Sequence, residues 1–336
     1  MVSKMINMSD IRVLGSGLLC IDIIKKRANQ EHFLLGGTAA NVISILAQLG
    51  FNASFLQAEY HGKDGVWILE QIRKRRIKPI IFSRCEWDAP RIVEHLNDGK
   101  HSFITTCPNC NKKMSLLKLP QINQVQDVYN KIENLNLFYF DRISDGIKLI
   151  ANMNNLGWNF YEPNSIRKYD IFLNNVRSAN IVKLSEERIS FKYAEKLRED
   201  LNDSNIQLLV VSLGERGLKF SYKNKCNVMS EWYHIKPDNT KKIIDSAGAG
   251  DWLTAIFIYY FLRYYPFYIK GIDKSVIEKC FKNAQQAAAL ACFFVGAQRI
   301  FENKRGVKEM NRMLGSAMNH LPYDEIDLGG CSFCKK

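Results

Sequence analysis

The chain has 336 residues, 46% of them hydrophobic and 24% charged. That composition is ordinary for a globular protein, leaves room for one large domain or two small ones, and excludes a disordered or fibrous chain. The formal net charge of +13, from 47 Lys and Arg against 34 Asp and Glu, suits anionic ligands such as nucleotides.

At the N-terminus, residues 1–10 lack the apolar core of a secretion signal, and no later apolar run is long enough to span a membrane. A soluble, cytoplasmic protein is expected. Ile11-Arg-Val-Leu-Gly-Ser-Gly17 reads as a first strand running into a turn. The apolar run 18–24 is broken by one charge, Asp22, which must face a partner or a cavity because bare burial is costly. Gly36-Gly37 breaks the chain before a helix with apolar positions Val42, Leu46 and Leu49, stopped at Gly50. Ala39 and Ala40 leave room for a ligand at its start. Asn41, a weak helix former in the first turn, is better used as a hydrogen-bonding group.

Residues 53–58 read as a strand, and His61-Gly-Lys-Asp-Gly65 as a turn before a helix to about Lys74. The run Arg73-Lys-Arg-Arg-Ile-Lys78 is expected to be a solvated helix end, where cations are favoured. Residues 80–106 alternate strand-like pieces with turns, and Asn97-Asp-Gly-Lys100 is a hairpin signal.

Cys107-Pro-Asn-Cys110 follows, and Cys331-Ser-Phe-Cys334 comes after Gly329-Gly330 near the end. These are four of the 9 cysteines. Each pair has the shape of a zinc knuckle, and two knuckles give four thiolates, the usual tetrahedral set of a structural zinc ion. Redox-active pairs and disulfides are the alternatives, the latter disfavoured in a cytosolic chain. The site would close within one chain or between two copies.

Residues 135–140 read as a buried strand. A helix capped by Ser144 or Asp145 reaches about Asn155, then comes a strand and turn over 159–164. Residues 181–185 form another strand, followed by Glu186-Glu187. This rhythm of strand, helix, strand predicts a parallel sheet. The strand from Leu208 ends in the glycine turn Ser212-Leu-Gly-Glu-Arg-Gly217. A buried helix is expected over 252–260, and an Ala-rich helix, bearing Gln285, over 279–296.

Between them, residues 242–257 run from a short β-branched strand through a glycine turn into a helix start. Such a junction can cradle phosphate, because turn amides point at the anion and the helix dipole adds positive charge. Gly248 and Gly250 let the backbone approach closely. Asp251 at the mouth makes sense as the group that takes a proton from a hydroxyl attacking the phosphate. A plain helix cap is the competing reading. No Gly-Lys-Ser/Thr follows, so this is not a Walker A loop.

Asp245-Ser-Ala-Gly-Ala-Gly-Asp251 resembles the C-terminal signature of the ribokinase-like (PfkB) carbohydrate kinases, Asp-Thr/Ser-x-Gly-Ala-Gly-Asp. Gly17 to Asp22 is similar to their Gly-x-x-x-x-Asp. Gly36, Gly37 and Asn41 match their Gly-Gly-x-x-x-Asn, and Ser212, Gly214 and Gly217 match Thr-x-Gly-x-x-Gly. The resemblance covers about residues 13–297. It implies an α/β fold with a mostly parallel central sheet flanked by helices and a small β-lid. It implies Asp251 as catalytic base with Gly248, Ala249 and Gly250 as anion hole, and Asp22, Gly36, Gly37 and Asn41 around the sugar. Ser212, Gly214, Gly217 and Gln285 would bind ATP, with Mg²⁺, and Asp245 with the Ala247 carbonyl would hold a monovalent cation. Two departures stand out: Arg188 replaces an expected Glu near the magnesium shell, and the family pattern has no zinc site. Arg91 and His101 could face the substrate from the lid.

The expected organisation is a kinase domain over 1–302, with lid elements at about 18–34 and 80–120, and a tail over 303–336. The expected function is ATP-dependent phosphorylation of a sugar hydroxyl, in a homodimer formed through the lid. A nucleoside kinase is the narrower alternative. A nucleotide-responsive regulatory or nucleic-acid-binding protein is the other, and the intact Gly248 to Asp251 run disfavours it.

Overall fold

The computed structural model describes residues 7–25, 31–97, 100–107, 110–114, 117–166, 168–201, 204–237, 244–321 and 328. The strands are β1 (Arg12–Ser16), β2 (Cys20–Lys25), β3 (Glu31–Gly36), β4 (Asn52–Glu59), β5 (Lys78–Arg84), β6 (Arg91–Asn97), β7 (Lys100–Ile104), β8 (Leu137–Phe140), β9 (Trp158–Tyr161), β10 (Ile181–Ser185), β11 (Leu208–Ser212), β12 (Leu218–Tyr222) and β13 (Tyr233–Ile235). The helices are α1 (Thr38–Gln48), α2 (Gly62–Lys74), α3 (Ile122–Gln126), α4 (Asp145–Met153), α5 (Tyr169–Val176), α6 (Phe191–Asp200), α7 (Ala249–Tyr264), α8 (Lys274–Ala291) and α9 (Lys304–Leu314).

The larger sheet has nine strands in the order β13-β12-β11-β10-β9-β8-β1-β4-β5. Its members from β5 to β11 pair in parallel, and β12 and β13 close one edge antiparallel. Helices cover both faces of such a sheet, so its strands read as unbroken apolar runs. The all-buried Leu137-Phe-Tyr-Phe140 of β8 is one. Chain order reverses at β1: β4 and β5 lie to one side of it and β8 to β11 to the other. In an open α/β sheet that reversal leaves a crevice beyond the carboxyl ends of the strands, where ligands bind.

The smaller sheet has four strands in the order β3-β2-β6-β7. β6 ends at Asn97 opposite Lys100 of β7, in the register the hairpin signal predicts. Residues 98 and 99 lie outside the described residues. α2 is tied to this sheet by a buried ion pair: Arg91 donates from Nε and Nη2 to the two oxygens of Asp64, at 2.6 and 2.5 Å.

Several boundaries differ from the sequence reading. α2 starts at Gly62, so the expected turn 61–65 is its first turn; the Asp64 pair and the buried Trp67, Ile68 and Ile72 pull those residues into the helix. α7 starts at Ala249 and not at Trp252, because the glycine turn itself winds into the helix. α8 begins at Lys274, five residues earlier than expected, and ends at Ala291, five residues before Gly296. α9, beyond residue 303, buries Val307, Met310 and Leu314 in the same core as both sheets. Among the described residues no helix is long and apolar enough to cross a membrane.

Candidate active site

The start of α7 organises the crevice. Gly248 caps the helix at φ 77°, and a Cβ there would lie 2.2 Å from the Ala297 Cβ, so only glycine fits. Ala249, Gly250 and Asp251 form the first turn, and Trp252 is the residue whose N–H reaches back to the Gly248 carbonyl, at 2.9 Å. Amides of a first turn have no helical acceptor and can serve an anion. Asp245 is buried and braces the loop. One of its oxygens accepts the Ala247 N–H and the other the Gly296 N–H, both at 2.7 Å.

Asn41, in the first turn of α1, donates its amide to Asp251 Oδ2 at 2.7 Å. A buried chain fixes that amide: Gln298 Nε2 donates to Asn41 Oδ1 at 2.8 Å, and Arg75 Nε donates to Gln298 Oε1 at 2.5 Å. Burial, and then the Glu162 carboxylate, push the Asp251 carboxyl up to about 7; the Asn41 bond, Lys183 and Arg188 pull the other way. A carboxyl poised near neutrality is matched to general-base work.

Asp22 stands on β2, and Cys20 Sγ donates to its Oδ1 at 3.2 Å. Gly36, opposite Cys20 in the β2–β3 register, lies against this carboxylate, and a Cβ on it would come 1.9 Å from Oδ2. Gly37 follows as the cap of α1, its carbonyl accepting the Asn41 N–H at 2.8 Å. One short segment thus links Asp22 to Asn41 and so to Asp251.

Sequence reasoning missed further charged residues at this edge. Asp141, directly after β8, is buried and accepts the Leu18 N–H at 2.8 Å and Arg142 Nη1 at 3.1 Å; burial raises its carboxyl. Glu162, after β9, accepts from Tyr139 Oη at 3.0 Å, from Thr254 Oγ1 at 2.9 Å and from Lys183 Nζ. The available signal was position: each is the first carboxylate after a buried parallel strand, at the edge where such sheets bind ligands.

The remaining expected residues are placed as follows. Ser212 ends β11 and donates to the Leu184 carbonyl at 3.3 Å. Gly214 opens and Gly217 closes the turn that follows. Gln285 is half-buried on α8. Glu186 is paired with Arg216, whereas Glu187 Oε1 lies beside Gly214. Arg188 donates to Asn164 Oδ1 at 2.5 Å. Arg91, which could face the substrate from the lid, is paired with Asp64; the His101 side chain lies outside the described residues. Cys107 anchors a tight turn, its N–H donating to the Lys112 carbonyl and its carbonyl accepting the Asn111 N–H, both at 2.8 Å. Cys331 and Cys334 lie outside the described residues, and among the described ones no group of three or more His, Cys, Asp or Glu is placed to hold a metal.

Residues 171–304 match the family described as pfkB family carbohydrate kinase. A Pyrococcus horikoshii protein whose name marks it as a provisional sugar kinase is 24% identical over 278 residues, 76% of this chain and 80% of that protein. The fructokinase of Vibrio cholerae O395, crystallised with fructose, ADP and calcium ion, has a TM-score of 0.68 at 19% identity, over 91% of this chain and 99% of that one. Ribokinase from Giardia lamblia gives 0.69 at 16% identity, over 91% and 99%. Aminoimidazole riboside kinase from Salmonella enterica, complexed with aminoimidazole riboside and an ATP analog, gives 0.62 at 16%, over 90% and 99%. At such identities the solved structures establish the fold: an α/β, mostly parallel sheet flanked by helices.

Proposed function

We propose that the chain is a carbohydrate kinase of the ribokinase-like, PfkB type, and that Asp251 is the base that activates a sugar hydroxyl for attack on the γ-phosphate of ATP. One observation carries this assignment: Asp251 is oriented by Asn41, poised near neutrality, and sits in the helix turn whose amides can receive an anion. The hydroxyl proton passes to Asp251 as the new P–O bond forms. The bond to the β-phosphate oxygen breaks and ADP leaves. The amides of Gly248 to Gly250 and the dipole of α7 oppose the charge that builds on the transferring group. Asp22, with Gly36 and Gly37 fixing its surroundings, and Asn41 orient the acceptor. Ser212, Gly214, Gly217 and Gln285 lie along the nucleotide.

The residues present also suit a divalent cation. Glu187 offers a hard carboxylate oxygen beside Gly214, while Glu186 is taken by Arg216. Magnesium bound there would neutralise phosphate charge. The monovalent-cation role of Asp245 and Ala247 rests on the resemblance alone.

A structural zinc held by Cys107, Cys110, Cys331 and Cys334 belongs to the same proposal. Two contacts favour closure within one chain. Arg91 Nη2 donates to the carbonyl of Leu328, three residues before Cys331, at 3.2 Å. The Arg91 N–H donates to Met114, on the segment that follows the Cys107 turn, at 2.8 Å. Metal analysis should find one zinc per chain, lost in Cys107→Ser; a metal-free, stably folded protein would end this part of the reading.

The kinase assignment is tested by incubating the protein with Mg-ATP and a panel of sugars and ribosides, then looking by mass spectrometry for a phosphorylated acceptor. ATP consumed with no acceptor phosphorylated would contradict it.

A further inference from the structure

Lys183 is a buried lysine that the mechanism above does not use. It lies on β10 with only 2% of its side chain exposed. Among the described residues its ammonium donates to Glu162 alone, although an ammonium carries three donors. Its Nζ faces the start of α7: a Cβ built on Gly250 would lie 3.6 Å from it, and apart from the flanking residues and the helix's own backbone no other atom comes within 4 Å. A cation beneath a helix N-terminus opposes the helix dipole, so the arrangement is unfavourable until an anion arrives there.

Glu162 holds the lysine and the helix together. One oxygen takes Lys183, and the other takes the hydroxyls of Tyr139 on β8 and Thr254, one turn beyond Asp251 on α7. The carboxylate therefore joins β8, β10 and α7. Removing one partner of such a buried pair exposes the other to the full cost of desolvation, so the pair behaves as a unit.

We propose that Lys183 and Glu162 are a positioning pair for phosphoryl transfer: Glu162 anchors the first turns of α7, and Lys183 sets a fixed positive charge under Gly250, where charge builds on the transferring group. This rests on the kinase reading of the site. Fixed charge in a water-poor site needs no reorganisation as the reaction proceeds, so its loss falls on kcat. The groups facing Asp251 are Glu162 after β9, Lys183 on β10, Arg188 beyond β10 and the Tyr139 hydroxyl from β8, while α1 contributes the neutral Asn41. The pair therefore acts on the base with opposite signs through its two members.

The experiment compares Glu162→Gln, Lys183→Met and the double variant over a pH series, with thermal melting alongside. Glu162→Gln removes a negative neighbour, so the acid limb of the kcat profile moves to lower pH. Lys183→Met removes a positive one, and the limb moves to higher pH. The double variant carries no buried unpaired charge and keeps the fold. Its kcat should fall by roughly 100-fold, the scale for losing one preorganised donor, with the sugar KM nearly unchanged. Acid limbs that stay in place in both single variants, or a double variant with the parent kcat, would overturn the proposal. Carbon-13 NMR titration of the Asp251 carboxyl, with Asp251→Asn as the assignment control, reads the same opposite shifts without turnover. A chain that phosphorylates nothing but shows those shifts defeats the kinase reading and keeps the pair.

Discussion

At the edge of the nine-stranded sheet, Asp141, Glu162, Lys183 and Asp251 stand on or beside different elements: Glu162 accepts from Lys183 and from the Tyr139 and Thr254 hydroxyls, Asp251 from the Asn41 amide, and Asp141 from the Leu18 N–H. The four-stranded sheet is held another way. Its described polar anchor is the pair of Asp64 on α2 with Arg91 on β6, 3% and 8% exposed. The first region keeps several charges buried close together, an arrangement that costs stability and is retained where chemistry needs it. The second keeps one buried pair, which ties α2 to the sheet. Under the proposed function, the large sheet carries the reaction and the small sheet the choice of acceptor.

Four substitutions sharpen or break that division. Asp251→Asn should lower kcat by about 10²- to 10⁴-fold, the usual worth of a general base, while ATP still binds; near-parent turnover would remove the base from the large sheet. Asp64→Ala strands Arg91 and should destabilise the chain by about 3–5 kcal/mol in denaturant melts. An unchanged melt would mean that the small sheet is anchored elsewhere. Gly36→Ala pushes a methyl into the Asp22 carboxylate. It should raise the sugar KM about tenfold, roughly 1.4 kcal/mol, and leave the ATP KM alone; equal rises in both would blur the two regions. Asn41→Leu has the smallest expected effect. Losing the donated bond disfavours the Asp251 carboxylate, so its pKa rises from about 7 and the acid limb of the rate profile moves to higher pH. A limb that moves down would mean that Asn41 does not hold the ionised form.

The parts legible in the sequence were those in which backbone geometry dictates the residue. Gly248 must be glycine because its φ is positive and Ala297 lies against it, and Gly36 because Asp22 does; both therefore show as motif letters. The β8 and β11 runs were legible because burial on both faces forces continuous apolar residues. The Glu162–Lys183 pair was hidden, since partners 21 residues apart meet only through strand pairing. The start of α2 was hidden for the opposite reason: Gly62 and Gly65 look like turn residues, and only the distant Arg91 shows why Asp64 belongs in a helix. The second cysteine pair is plain as a sequence pattern, and its placement lies outside the described residues.

The central claim is that Asp251 activates an acceptor hydroxyl. Its most direct test is ADP release from Mg-ATP across sugars and nucleosides, run in parallel with Asp251→Ala. The account predicts release that depends on a particular acceptor, sugars before nucleosides, and that falls to background in the variant. Release of equal rate in Asp251→Ala, or release indifferent to every acceptor, would contradict it.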